Sequence, residues 1–297
     1  VRKRSSDSNG FLVLDKPSGI TSFEALGSVK RAFDTGRVGH TGTLDRFARG
    51  VLVALVGRYA RLSEYFTASD KVYLAGIRFG TETDTLDPEG TIIARGPLPD
   101  RAALEAVLPT FRGDILQAPP AFSAVHIEGR RAYERALAGE DVRPEPRPVT
   151  ILGLDLLDYS DGLARMRVRC SKGTYIRSLA RDIAEACGTR AHLETLVREA
   201  SGPFRIEDGI PPEAADSSSL RVLDPELCET LGLPPVRLAP GQEAFFLRGG
   251  PLTKGRFAKP PEGVGFRGVF SAEGTFLGVL EIRDGTYSYR VVLGTSA

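Results

Sequence analysis

Cysteine and histidine are scarce in this 297-residue chain, three of each, and no apolar stretch is long enough to cross a bilayer. Cys170, Cys187 and Cys228 are odd in number and lack CxxC spacing, which argues against a disulfide framework or a zinc knuckle and leaves three buried thiols as the expectation. His40, His126 and His192 show no metal-ligand spacing, so neither metal nor organic cofactor is expected. The longest apolar run, Val51 to Val56, falls far short of a membrane span, and no apolar run follows the basic start Arg2-Lys3-Arg4 as a secretory signal requires. A cytoplasmic protein that engages no membrane is expected. Net charge is low as well, formally +1, which looks wrong for a partner of a polyanion.

Net charge hides distribution. Residues 1–60 hold ten Lys or Arg against five carboxylates, so the N-terminal portion is basic. Arginine greatly outnumbers lysine, which suits bidentate phosphate contacts and stacking on bases, although a GC-rich genome gives the same bias. With 41% hydrophobic and 26% charged residues the chain can bury a substantial core, and its length suggests one large domain plus a smaller one.

Residues 1–9 are polar and read as a disordered tail. Phe11 to Leu14 reads as a strand stopped by Asp15-Lys16-Pro17-Ser18-Gly19. Thr21-Ser22-Phe23-Glu24 has capping-box spacing and opens a helix with Phe23, Leu26, Val29 and Phe33 near helical period. Four glycines make residues 36–50 a loop, the kind of segment on which chemistry often sits, before the buried run Val51 to Val56. Val72 to Phe79 reads as a strand and residues 102–108 as a helix. The proline-rich zone between Gln117 and Val149, with a helical patch at Arg131 to Leu137, reads as a projecting insertion. Ala164, Met166, Val168 and Cys170 alternate with Arg165, Arg167 and Arg169, a half-buried strand with a cationic face. Ile176, Leu179, Ala180, Ile183, Ala184 and Cys187 recur at helical period, with Gly188 placed to end the helix and Arg177 on its polar side. Pro211 to Ser219 reads as a linker, followed by a small β domain with strands near residues 268–270, 276–282 and 288–293.

Four segments in this order carry a resemblance: Leu14-Asp15-Lys16-Pro17-Ser18-Gly19-Ile20-Thr21-Ser22, Gly39-His40-Thr41-Gly42-Thr43-Leu44-Asp45, Lys71-Val72-Tyr73, and Ser171-Lys172-Gly173-Thr174-Tyr175-Ile176-Arg177. Weaker matches lie at residues 83–90 and 119–134. Together they make the chain similar to the TruB-type tRNA pseudouridine synthases over about residues 10–205. The resemblance implies an α+β protein with the pseudouridine synthase fold around a large mixed β-sheet. Residues 10–220 would be catalytic, with an insertion at about 115–148, and residues 221–297 a small β-rich, PUA-like RNA-binding domain. It also implies a substrate, uridine 55 in the T-arm of tRNA, extracted by base flipping, with no guide RNA, no cofactor and a monomeric enzyme. A tRNA-binding folding chaperone without catalysis is the alternative.

Making pseudouridine breaks the bond from N1 of uracil to the ribose, turns the base and rejoins it through C5. A carboxylate suits this chemistry as a nucleophile or as a stabiliser of positive charge on the sugar. The resemblance assigns that part to Asp45, which alone would read as a turn or cap residue, and leaves open whether it attacks the sugar or the base. Arg177 matches the arginine that pairs with this carboxylate. Tyr73, Tyr175 and Leu196 match walls of a uracil pocket, although by themselves Tyr73 would be a core strand residue and Leu196 a helix core residue. His40 matches a histidine that enters the RNA loop, and Lys16 a basic position near the site. Lys71, Arg198 and the Arg165/Arg167/Arg169 face are further expected phosphate contacts. Two departures stand out. Arg46-Phe47 replaces the usual Pro-Leu after the aspartate, which removes a rigid constraint, and His126 stands where lysine is common.

Overall fold

The computed structural model describes residues 8–127 and 129–293, so most of the expected disordered tail, residues 1–7, lies outside it. Asn9, inside it, accepts the Arg58 N–H through Oδ1 at 2.7 Å. The chain runs through β1 (Gly10–Lys16), α1 (Ser22–Ala32), β2 (Val38–His40), β3 (Arg49–Val56), α2 (Ser63–Thr67) and β4 (Lys71–Phe79). The hairpin β5 (Thr81–Thr83) and β6 (Ile92–Arg95) leads to α3 (Arg101–Val107) and β7 (Gly113–Gln117). Then follow β8 (His126–Ile127), β9 (Arg130–Arg131), α4 (Ala132–Leu137), β10 (Arg147–Ser160), β11 (Leu163–Cys170), α5 (Ile176–Ala186), β12 (Ala191–Ser201) and β13 (Phe204–Arg205).

One mixed sheet organises these elements. Its path is β1-β3-β12-β4-β11-β10-β7, with β2 added to β3 and β13 to β12. The pairing of β12 with β3 is parallel, while its pairing with β4 is antiparallel. The apolar run in β3 is explained by burial on both faces: Val51, Val53 and Leu55 enter one core cluster, Leu52, Ala54 and Val56 another. Helix α1 closes the second cluster with Ala25, Leu26, Val29 and Phe33, and Thr21 caps it through the expected capping box. Phe23 departs from the expected stripe. It is 72% exposed, and the Lys30 ammonium lies 4.6 Å from its ring centroid.

The alternation in β11 is real. Ala164, Met166, Val168 and Cys170 face the core with Leu179, Ala180, Ile183 and Ala184 of α5, and each large aliphatic group buried there contributes about 2 kcal/mol. The opposite face is less cationic than expected, because Arg167 pairs with Glu199 at 3.0 Å. Of the three thiols, Cys170 and Cys228 are buried and Cys187 is half-exposed, a correction to the reading of all three as buried. Strand β7 belongs to the main sheet, pairing with β10 from Gln117↔Arg147 to Gly113↔Ile151, so the excursion from the sheet spans residues 118–146.

The C-terminal part holds α6 (Pro225–Thr230), β14 (Pro235–Arg237), α7 (Glu243–Leu247), β15 (Gly265–Phe270), β16 (Phe276–Arg283) and β17 (Thr286–Val292), with sheet order β14-β15-β16-β17. It is packed onto the first sheet. Phe270, Phe276 and Val279 share a core with Phe11, Val53 and Tyr59, and the Tyr59 hydroxyl accepts the Leu223 N–H at 3.1 Å. The Pro- and Ser-rich stretch before it is anchored as well, with Ile210 bridged to Leu14 and Arg221 to Phe11.

Candidate active site

The loop between β2 and β3 carries Asp45 and is fixed by contacts from distant parts of the chain. Arg198 of β12 is buried, and its guanidinium donates to the carbonyls of Val51 (2.7 Å), Thr43 (3.2 Å) and Gly42 (3.1 Å). Leu44 drops its side chain into the core. On the far side of Asp45, the Gly19 N–H donates to the Arg46 carbonyl at 2.8 Å, and Arg46 Nε returns a bond to the Gly19 carbonyl at 2.9 Å. These two bonds supply the local constraint that the sequence appeared to lose with the missing proline. Residues 38–40, expected within a loop, form a short strand that pairs with β3 at Val56, Leu55 and Ala54.

Arg177 lies in the first turn of α5, where a cation opposes the helix dipole. Two carboxylates offset that cost. Nη2 donates to Asp45 Oδ1 at 3.1 Å while Nε lies 3.0 Å from Oδ2, and Nη1 lies 3.5 Å from Asp87 Oδ2. Nη1 also donates to the Thr85 carbonyl (2.9 Å) and Nη2 to the Phe122 carbonyl (3.0 Å). The Arg177 side chain is 6% exposed and that of Asp45 is 34% exposed, so the guanidinium is locked in protein while the carboxylate opens onto a cavity. Asp87 is itself held, its Oδ1 accepting Thr85 Oγ1 at 2.6 Å and the Glu89 N–H at 3.1 Å. Asp87 lies in a weakly matching segment, and its place two residues after Thr85 in a turn-rich stretch gives no local sign of its ionic role.

The cavity has a volume of about 520 Å³, and Asp45, Tyr73, Tyr175, Arg177 and Leu196 all line it. Burial pushes the phenol pKa values of Tyr73 and Tyr175 above their ordinary value, so both hydroxyls keep their protons at neutral pH. The Tyr175 N–H is held by Gln117 Oε1 at 2.8 Å. Leu196 is buried on strand β12, rather than on the helix suggested by its sequence surroundings. Thus five of the seven expected residues meet at one cavity. His40 does not line it: the imidazole is half-buried at the end of β2, beside cavity-lining Thr41, and its Nδ1 accepts the Gly42 N–H at 3.3 Å. Burial, with Arg198 adding to it, lowers its pKa and keeps the ring neutral at neutral pH.

Lys16 corrects the expectation of a substrate-facing cation. It is fully buried, and its ammonium donates to the carbonyls of Pro17 (2.9 Å), Ile20 (2.7 Å) and Arg46 (3.4 Å). Desolvation pulls its pKa down to about 8, against the opposing field of Asp45. Lys71 and Arg198 are likewise buried and bonded to backbone carbonyls, and both lie in the wall of the cavity.

A large mixed sheet carrying a carboxylate–guanidinium pair in a cavity walled by two tyrosines and a leucine defines the class as a pseudouridine synthase fold. A protein of the archaeal box H/ACA sRNP Nop10–Cbf5 complex shares this architecture with a TM-score of 0.70, covering 96% of this chain and 86% of that one at 20% identity. The family described as TruB family pseudouridylate synthase (N terminal domain) matches residues 30–176. The tRNA pseudouridine synthase B of Borreliella burgdorferi is 47% identical over 219 residues, 73% of this chain and 78% of that protein. That of an Azoarcus species is 41% identical over 292 residues, 97% of this chain and 95% of that protein. The chain belongs to the TruB family of pseudouridylate synthases, which are isomerases.

Proposed function

We propose that this enzyme converts uridine 55 in the T-loop of tRNA to pseudouridine, with Asp45 as the nucleophile. The observation that carries the reading is the Asp45–Arg177 pair: a carboxylate open to a cavity and held from behind by a buried guanidinium. The guanidinium holds the carboxylate in place, with Nη2 donating to Oδ1 at 3.1 Å. A nucleotide swung out of its stack brings its sugar–base bond to Asp45, while Tyr73, Tyr175 and Leu196 take the faces and edge of the uracil. Asp45 forms a bond to the nucleotide as the N1–C1′ bond breaks, the base turns between these walls, C5 bonds to C1′ as the bond to Asp45 is released, and the C5 proton leaves as N1 gains one.

Relatives named tRNA pseudouridine synthase B support tRNA as the substrate class. On this reading His40, neutral and just outside the cavity, meets the opened RNA loop. The catalytic domain ends near residue 220, and the β-rich C-terminal part, residues 221–297, is a PUA-like RNA-binding domain. The enzyme acts as a monomer in the cytoplasm and needs no guide RNA, because folded tRNA itself presents the shape to be read. Phosphate contacts make affinity fall as salt rises.

The test is conversion of an unmodified tRNA transcript by the purified chain, with pseudouridine mapped by chemical probing. Wild type converts the T-loop uridine and Asp45→Ala does not. Equal conversion by the two proteins would end the nucleophile assignment.

A further inference from the structure

The residues on either side of Asp45 are both tied to residues 16–22. Behind it, Arg46 is bonded to Gly19 and Lys16. Ahead of it, the Ser22 hydroxyl makes two bonds to one residue: it accepts the Leu44 N–H at 2.9 Å and donates to the Leu44 carbonyl at 3.0 Å. Ser22 is buried, so both bonds are shielded from water.

The helix does not need this hydroxyl. Thr21 already caps α1, accepting the Glu24 N–H at 3.1 Å, while the Thr21 N–H reaches Glu24 Oε2 at 2.6 Å. Ser22 is therefore free to point its Oγ away from the helix terminus, at a backbone 22 residues further along the chain. Leu44 is then held at three points, its N–H, its carbonyl and its core-buried side chain. Asp45 begins where that clamp ends.

We propose that Ser22 is a positioning residue of the catalytic centre, whose hydroxyl sets the backbone of Leu44 and so the approach of Asp45 to the bound nucleotide. The assignment rests on Asp45 as nucleophile. Without the hydroxyl, the Leu44 amide and carbonyl lose their partner, and the loop regains freedom at the point where small displacements of a reacting group cost most. Binding of tRNA does not pass through this contact, so the loss belongs to kcat rather than to KM.

The experiment compares Ser22→Ala, Thr21→Ala and Asp45→Ala in the full chain, by single-turnover conversion of a tRNA transcript at saturating enzyme, filter binding of that transcript, and thermal melting. Ser22→Ala is expected to slow conversion about 10- to 100-fold with unchanged tRNA Kd. Thr21→Ala loses the helix cap, melts at lower temperature and converts tRNA at the wild-type rate. Wild-type conversion by Ser22→Ala, or the same slowing in Thr21→Ala as in Ser22→Ala, would overturn the assignment, since Ser22 would then do no more than hold α1. Activity surviving in Asp45→Ala would instead overturn the nucleophile on which it stands, and an inactive Asp45→Ala beside a fully active Ser22→Ala would overturn the positioning role alone.

Discussion

Arg177 meets Asp45 edge-on, with Nη2 3.1 Å from Oδ1 and Nε 3.0 Å from Oδ2, across 132 residues of sequence. The Nη2 hydrogen bond fixes the direction of the carboxylate, and Nε adds an ionic contact beside it. A lysine at this position would keep the charge and lose the planar set of donors that also reaches the Thr85 and Phe122 carbonyls. Arg177→Lys is therefore expected to fold, to bind tRNA and to lower kcat about 100-fold, measured by steady-state conversion. Arg177→Ala leaves buried Asp87 without its counter-charge and is expected to lose about 3 kcal/mol of stability, read from urea unfolding. Wild-type kcat in the lysine variant would show that direction does not matter.

Asp87 gives a second handle on the same guanidinium. Its Oδ1 is used by Thr85 and Glu89, and its Oδ2 faces Arg177 Nη1 at 3.5 Å. An asparagine can keep the Oδ1 bonds while removing the negative charge that faces Arg177 at the helix terminus. Asp87→Asn is expected to lower kcat about tenfold with little change in KM, because the guanidinium is loosened while the cavity walls stay in place. A change in KM alone would assign Asp87 to binding of the RNA.

Much of this arrangement was legible in the sequence, for local reasons. The double-sided burial of β3 is written as an unbroken apolar run, that of β11 as strict alternation, and α5 as a 3.6-residue period closed by Gly188, which takes φ +68°. What stayed hidden depends on non-local geometry. Helical period put Arg177 opposite the apolar stripe, which implied solvent; the first turn of that side meets the cavity and Asp87 instead, while Glu185 further along is exposed. The β12 strand breaks its own alternation at register shifts between Leu193 and Thr195 and between Arg198 and Ala200, so Leu196 carried no strand pattern. Burial was hidden for Lys16, expected as a basic position near the site, and for Arg198, expected as a phosphate contact, because basic residues usually lie outside. Their partners are backbone carbonyls as many as 30 and 156 residues away, which no local pattern reveals. Phe23 has the opposite history, an apolar residue at core spacing that faces outward.

Gly50 marks where β3 leaves the Asp45 loop and crosses β12. Its φ is +114°, and a Cβ there would stand 2.3 Å from the Arg198 carbonyl oxygen and 2.9 Å from its amide nitrogen. Backbone cannot yield as a side chain can, so Gly50→Ala must push the two parallel strands apart. The expected loss is about 3 kcal/mol, seen as a lower urea midpoint, and it is accompanied by slower conversion because the Arg198 bonds to Gly42 and Thr43 shift with the strand. An unchanged midpoint would mean that the crossing is looser than this geometry requires.

Lys71 offers a pH-dependent reading of burial beneath the site. Its ammonium is bonded to the Thr67 and Ser69 carbonyls with little exposure, and desolvation, with Arg198 adding repulsion, brings its pKa from 10.5 down to about 8. Below pH 8 the lysine is charged in both folded and unfolded chains, and the folded state carries the full cost of burying it. As pH rises from 8 toward 10.5 the folded lysine loses its proton first, the unfolded chain holds more protons, and stability increases. Neighbouring Cys170 works the other way, because burial raises its thiol from 9.0 to about 11 and the unfolded chain ionises first. The wild-type curve alone therefore mixes two opposing slopes. Comparing wild type with Lys71→Met, both carrying Cys170→Ala, isolates the lysine, since thiol and ammonium otherwise shift each other. The difference in urea midpoint is expected to move in favour of the chain that keeps Lys71 across this alkaline window and to be flat below it. A difference that stayed constant throughout would show that the ammonium keeps its water in the folded protein.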